Sequence, residues 1–175
     1  MTSFVIKAHE GRRVHTSWSP DSRCAFCRIL QGEEPAFRVF ENDMVFAILD
    51  ILPLRPGHTL VIPKIHVSRV SELPKEYAAA IGDAVTKVAN ALTGALQNTA
   101  LNIVCNQEYA QAVPHVHYHV IPAPRFGENS LQSREDVIPT GTFMQRKVHR
   151  AEYEARHELD DDDAVQLVEK IKARL

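Results

Sequence analysis

The run Pro114-His-Val-His-Tyr-His-Val-Ile-Pro122 constrains this chain more than any other stretch. Polar and apolar residues alternate through it. Period-two alternation is a strand signature, because successive side chains leave opposite faces of the pleat. A strand over 114–121 is predicted, with His115, His117 and His119 on one face and Val116, Tyr118 and Val120 packed on the other. Along such a strand neighbouring histidines sit roughly 6–7 Å apart. Imidazole serves near neutral pH as nucleophile, acid, base or metal ligand. Three in a row on a core-forming strand point first to chemistry on a substrate. A row of metal ligands is the second reading, and three satisfied core histidines the third.

Upstream, 39–40 and 44–49 read as two strands joined through the turn-prone Glu41-Asn42-Asp43. Leu52-Pro-Leu-Arg-Pro-Gly57 is a loop by its prolines and glycine, and His58-Thr-Leu-Val-Ile62 a buried strand closed by Pro63. Ser71 and Pro74 open a long helix. Its apolar positions Tyr77, Ile81, Ala84, Val85, Val88, Leu92, Ala95 and Leu96 recur at helical spacing. Residues 101–105 form a further strand and 106–113 a polar loop. Strands flank one long helix, so the predicted class is α+β with a mostly antiparallel sheet. Beyond Pro124, residues 125–143 read as loop and 145–158 are highly charged. The aspartates at 160–163 can cap a short helix with Ala164, Val165, Val168, Ile171 and Leu175 on one side.

Composition removes several function classes. A net charge of −2 gives no global basic field for nucleic acid, and no apolar run approaches the length of a membrane span. The first twenty residues hold Lys7, Arg12 and Arg13 against one acid, Glu10. They read as a solvated tail, with a mitochondrial presequence as the alternative. No secretory segment is apparent, so a cytoplasmic or nuclear location is expected. The three cysteines then read as thiols or ligands rather than a disulfide framework. No phosphate-loop or dinucleotide-fold fingerprint is present, and no organic cofactor is expected.

The triad run resembles the signature of the histidine triad (HIT) superfamily of nucleotide hydrolases and transferases. Cys24-Ala-Phe-Cys27-Arg-Ile29, Gly32-Glu-Glu-Pro35, Ala47-Ile-Leu-Asp50-Ile51 and Pro56-Gly57-His58-Thr-Leu-Val-Ile-Pro63-Lys-Ile-His66 fall in the family's order and spacing. The likeness divides the chain into a tail (1–21), a HIT domain (22–125), and a loop with a charged helical extension (126–175). It implies a HIT-like fold, usually assembled as a homodimer that pairs the long helices and a strand edge. His119 stands where the branch transferring nucleotidyl groups to sugar phosphates carries glutamine, which favours hydrolysis.

Carried over residue by residue, the resemblance makes His117 the nucleophile at the α-phosphorus of a nucleotide. The His115 carbonyl would fix its tautomer, with His119 and His58 as donors to phosphate or leaving group. It gives Asp50 the ribose hydroxyls and Ile29 and Ile48 the base pocket. Asn106, Gln111 and Ala112 fall around the phosphate and leaving group. Without the resemblance Asp50 reads as a turn or cap residue, and both isoleucines as ordinary core. Two departures stand out: Ala110 replaces a glycine, and Ala112 replaces a hydroxyl-bearing residue. Family members carrying the CxxC often join it to two histidines, here His66 and His115, which implies a structural Zn²⁺ on Cys24, Cys27, His66 and His115. A reduced CxxC of no consequence is the other reading.

The expected activity is adenosine 5′-monophosphoramidase-like hydrolysis of purine mononucleotide derivatives, releasing AMP or GMP. Diadenosine polyphosphate hydrolysis in the same site is the alternative. A nucleotide-binding adaptor with vestigial catalysis, and a zinc enzyme ligated by all three triad histidines, are readings from other classes.

Overall fold

A computed structural model describes residues 20–124, 150, 153, 154 and 156–175. The expectations for the N-terminal tail and for most of 125–155 lie outside the described residues. Among the described residues the first element is helix α1 (Ala25–Gln31), followed by strands β1 (Arg38–Glu41), β2 (Val45–Leu49) and β3 (Thr59–Pro63). A 3₁₀ turn at Val70–Glu72 leads into the long helix α2 (Lys75–Leu96). Strands β4 (Leu101–Cys105) and β5 (Tyr118–Pro122) come next, and helix α3 (Asp161–Lys172) is the last of these elements.

The five strands form one antiparallel sheet in the order β1-β2-β3-β5-β4. The β1–β2 turn closes as its sequence implies, because the Asn42 side chain accepts hydrogen bonds from the backbone N–H groups of Met44 and Val45. Alternation then assigns the faces. Val45, Ala47, Leu49, Val61 and Val120 point to α2 and join Ala84, Val88 and Leu92 in the main core. Phe46, Ile48, Leu60 and Ile62 point the other way and pack with Phe26, Cys27 and Ile29 of α1. The sheet is therefore covered on both faces, and the histidines lie on the α1 side.

The alternating run departs from expectation at its start. Strand β5 begins at Tyr118, so His115, Val116 and His117 precede it. Pro114 has no N–H to give a ladder, and the His115 N–H turns back to the Val113 carbonyl at 2.8 Å. Val116 then makes one bond to the Val67 carbonyl at 2.7 Å. The facing pattern survives, with Val116 and Val120 in the main core.

Helix α1 was not anticipated from periodicity. Seven residues give too short a window, and its clearest signal is Gly32, which ends it at φ 77 with N–H bonds to Arg28 and Ile29 carbonyls. The long helix starts at Lys75 behind Pro74, with Ser71 in the preceding 3₁₀ turn. Helix α3 is capped as predicted, Asp160 accepting from the N–H groups of Asp162 and Asp163. It packs against α2 and β1. Ala164 and Ile171 are fully buried in the main core with Val168 partly so, whereas Val165 and Leu175 are exposed. The buried stripe runs i, i+4, i+7, and Val165 lies a quarter-turn off it.

One glycine positions the site directly. Gly57, immediately before His58, has φ +86, and a Cβ there would stand 2.7 Å from a Leu96 methyl. Only glycine lets this turn sit against the end of α2.

Candidate functional site

The structure brings His58, His115, His117 and His119 together at the start of β3 and β5. His117 is almost fully buried, and its Nδ1–H donates to the His115 carbonyl at 2.6 Å. That bond places the ring proton on Nδ1 and leaves a lone pair on Nε2. Burial holds the imidazole below the ordinary histidine range, against the raising effect of that carbonyl. A neutral ring with an available Nε2 is what a nucleophile requires.

Beside it, the Leu54 N–H donates to His58 Nδ1 at 3.1 Å, so the His58 proton sits on Nε2. His58 Nε2 lies 3.0 Å from His119 Nδ1 and donates to it, which puts the His119 proton on Nε2. The chain of bonds thus orients an N–H donor at the outer end of two neutral rings. Burial pushes His58 down, and pushes His119 down to about 2 with help from His117 and His58. Asp50 stands at the inner end, one carboxylate oxygen 3.4 Å from His58 Nδ1. Its other oxygen accepts the Leu52 N–H at 2.9 Å, the turn role it would have without any ligand.

The His119 shift carries a prediction for stability. An unfolded imidazole protonates near pH 6.5, whereas the folded ring stays neutral down to about 2. Below pH 6.5 the unfolded state therefore binds the extra proton, and the stabilisation present above that pH is lost as pH falls. Between pH 7.5 and 5, His119 should account for roughly 1–2 kcal/mol of lost stability. Urea midpoints at the two pH values measure it, and a smaller loss in His119→Gln assigns it to this residue.

A second cluster lies behind the triad. Cys24, Cys27, His66 and His115 are all buried, with one ligand-capable atom each within 4.8 Å of the others. The Cys24 and Cys27 sulfurs lie 3.4 and 3.8 Å from His115 Nδ1, and the Cys27 sulfur 3.3 Å from His66 Nδ1. A tetrahedral zinc with ordinary Zn–S and Zn–N bonds has S···N edges of about 3.6 Å. His115 donates its Nε2–H to the Pro63 carbonyl at 2.8 Å, which turns the Nδ1 lone pair toward the thiols. Two thiols, two imidazoles and this spacing fit such an ion. His117 is outside the quartet.

The other predicted residues divide. Ile29 of α1 and Ile48 of β2 are buried in the same apolar cluster. Asn106 follows Cys105, which pairs with Tyr118, and so leaves the sheet beside His117. Ala112 is exposed. The Gln111 side chain is buried, with its amide bonded to the backbone of Glu108, Ser68 and His115. A cavity of about 490 Å³ lined by Pro53, Leu54, Arg55, Arg156, Leu159 and Lys170 lies behind the His58 loop. None of the predicted site residues lines it. Arg156, which sequence reasoning passed over, bonds to the Leu52 carbonyl at 3.5 Å and lowers His58 through its charge.

Ala110, standing where the resemblance has glycine, adopts φ 59. A left-handed conformation costs a non-glycine residue about 1–2 kcal/mol. Ala110→Gly is expected to raise unfolding free energy by about 1 kcal/mol in urea denaturation, part of the gain being offset by unfolded-chain entropy.

Residues 31–126 match the HIT domain family. The chain is 39% identical over 101 residues to the adenylylsulfatase HINT3 of Arabidopsis thaliana, covering 57% of this chain and 51% of that protein. It thus spans about half of that relative's length. It is 36% identical over 104 residues to the adenosine 5′-monophosphoramidase HNT1 of Saccharomyces cerevisiae, covering 58% and 63% of the two chains. Among solved structures, a Hit-like protein from Bartonella henselae superposes with TM-score 0.69 at 28% identity, over 90% of this chain and 99% of that one. A Zn-bound histidine triad family protein from Mycobacterium smegmatis superposes with TM-score 0.56 at 31% identity, over 83% and 95%. The five-stranded antiparallel sheet with its helices is the α+β fold of these neighbours, and with a family match across more than half its length the chain belongs to the HIT family.

Proposed function

We propose that the protein is a nucleotide hydrolase acting at the α-phosphate of purine nucleoside 5′-phosphoramidates through a nucleotidyl intermediate on His117. One observation carries this reading: the 2.6 Å bond from His117 Nδ1 to the His115 carbonyl, which leaves Nε2 as a buried lone pair. That lone pair forms a bond to phosphorus while the phosphorus–nitrogen bond breaks, and the departing amine takes the His119 Nε2 proton. Water then attacks phosphorus, returns a proton to His119, and displaces His117 to give AMP or GMP. The two displacements replace one difficult attack on an anionic centre. In this reading the hydrogen-bonded His58–His119 pair supplies part of the charge stabilisation on which phosphoryl chemistry chiefly depends.

Asp50 has the geometry to exchange its Leu52 contact for ribose hydroxyls, and Ile29 with Ile48 supplies an apolar wall for the base. Ala112 brings no hydroxyl, so His119 is the donor to the leaving group in this reading. The quartet would hold a structural zinc that ties α1 to the triad segment and leaves His117 unligated. No described helix is long and apolar enough to cross a membrane. A homodimer is part of the same proposal, supported by the edge position of β4 and the exposed Ile103 on it.

The test is mass spectrometry after brief incubation with adenosine 5′-phosphoramidate, with steady-state rates on that compound, diadenosine polyphosphates and adenosine 5′-phosphosulfate. An AMP-sized adduct on the peptide carrying His117, with the phosphoramidate preferred, is expected. No adduct and no cleavage of any substrate would end the proposal.

A further inference from the structure

The geometry points to Gln111 as a positioning residue whose side-chain amide sets the nucleophile rather than touching substrate. The resemblance sets Gln111 among the residues around the phosphate and leaving group, and the structure directs its side chain inward. Gln111 is 3% exposed. Its Nε2 donates to the Ser68 carbonyl at 2.8 Å and, by a longer contact of 3.4 Å, to the His115 carbonyl. Its Oε1 accepts the Glu108 N–H at 3.0 Å. Both ends of the amide are therefore spent on backbone.

The acceptors matter more than their number. The His115 carbonyl is the same oxygen that takes the His117 Nδ1 proton. Ser68 belongs to the segment that pairs with the triad residues, since Val116 N–H donates to Val67 and the Ser68 hydroxyl donates to the Pro114 carbonyl. One amide thus ties together the 106–113 loop, the 66–68 segment and the carbonyl that fixes the His117 tautomer. The loop it holds bears left-handed residues at Glu108 and Ala110, on either side of Tyr109. Without the clamp those conformations have less to maintain them, and the His115 carbonyl loses a donor that restrains its direction. A rotated carbonyl releases the Nδ1 proton, and the ring then populates the tautomer that has no lone pair at Nε2. Misplacement of about an ångström is enough to cost 10²-fold in rate.

This inference rests on the reading of His117 as nucleophile, and its test separates the two. Gln111→Met keeps length and removes both bonding ends, while Gln111→Glu keeps the acceptor for Glu108 and loses the donor. The full-length zinc-loaded proteins would be compared by ¹⁵N chemical shifts of the His117 ring at a fixed pH near 7.5, by AMP affinity, and by kcat and KM on adenosine 5′-phosphoramidate. For Gln111→Met the expected result is a mixed His117 tautomer, kcat down about 10- to 100-fold, and AMP affinity within about twofold of wild type. A pure Nδ1–H signal in the variant overturns the inference, as does a tenfold loss of AMP affinity with the ring signal unchanged. Should Gln111→Met fail to fold, the same ring signal in Gln111→Glu decides. If wild type forms no His117 adduct the nucleophile reading fails, while the tautomer comparison still judges the clamp.

Discussion

His117→Ala is expected to lower kcat on adenosine 5′-phosphoramidate by on the order of 10⁴-fold or more, the scale seen when a covalent nucleophile is removed. The same substitution should leave AMP affinity within about threefold. The imidazole is buried, and its hydrogen bond runs to backbone rather than to any group that would grip a nucleotide. His119→Ala should cost less, about 10²–10⁴-fold, because a general acid contributes on that scale and water can replace it in part. The order of the two effects is the diagnostic. Steady-state kinetics with isothermal titration of AMP measures both. If His117→Ala keeps a tenth of wild-type turnover, the covalent route is wrong. If the wild type binds AMP tightly and turns over nothing, the adaptor reading takes its place.

Removing the proposed zinc site should produce the largest loss of stability. Cys27→Ala is expected to destabilise the fold by about 4 kcal/mol or more, a fraction of the roughly 10–16 kcal/mol that structural zinc supplies to isolated fingers. For a chain of this size that corresponds to a fall in Tm of roughly 10 °C. The quartet is dry: burial pushes the Cys24 thiol up to about 12 and His115 down to about 3, the behaviour of ligands withheld from water. Its loss reaches the triad too, since His115 supplies both a quartet nitrogen and the carbonyl bonded to His117. Calorimetry with metal analysis provides the check. A purified wild type with less than a tenth of an equivalent of zinc, and an unchanged Tm in Cys27→Ala, would remove the metal from the picture.

What could be read in the sequence follows physical range. Alternation placed Val116 and Val120 against the long helix and His119 on the opposite face, because strand geometry is set by adjacent residues. The helix of 75–96 announced itself through five turns of apolar spacing. Strand β5 starts later than the alternation suggests, because pairing needs a neighbour as well as a pattern, and Val67 offers His115–His117 only one bond. The four metal-capable residues came from family likeness, since nothing in the spacing of Cys27 and His66 fixes a 3.3 Å approach across 39 positions. Gln111 shows the limit most clearly: its residue type matched the resemblance, yet the direction of its side chain depends on Ser68 and His115, which only folding brings near. The inward face of α3 was legible only in part: Ala164, Val168 and Ile171 stood out, but with six charged residues in twelve the pattern did not separate them from Val165, which lies exposed.

Helix α3 lies beyond the stretch that matches the family, and yet Ala164 and Ile171 have no contact with water. The side chain of Arg174 also reaches Gly94, to within 2.9 Å of where a Cβ would stand. Anyone shortening this protein at the edge of family likeness would strip a lid from α2 and β1 and leave greasy surface behind. The trimmed polypeptide should come out of cells as clumps or with a chaperone attached. The unit for crystallography or assay therefore has to include helix α3.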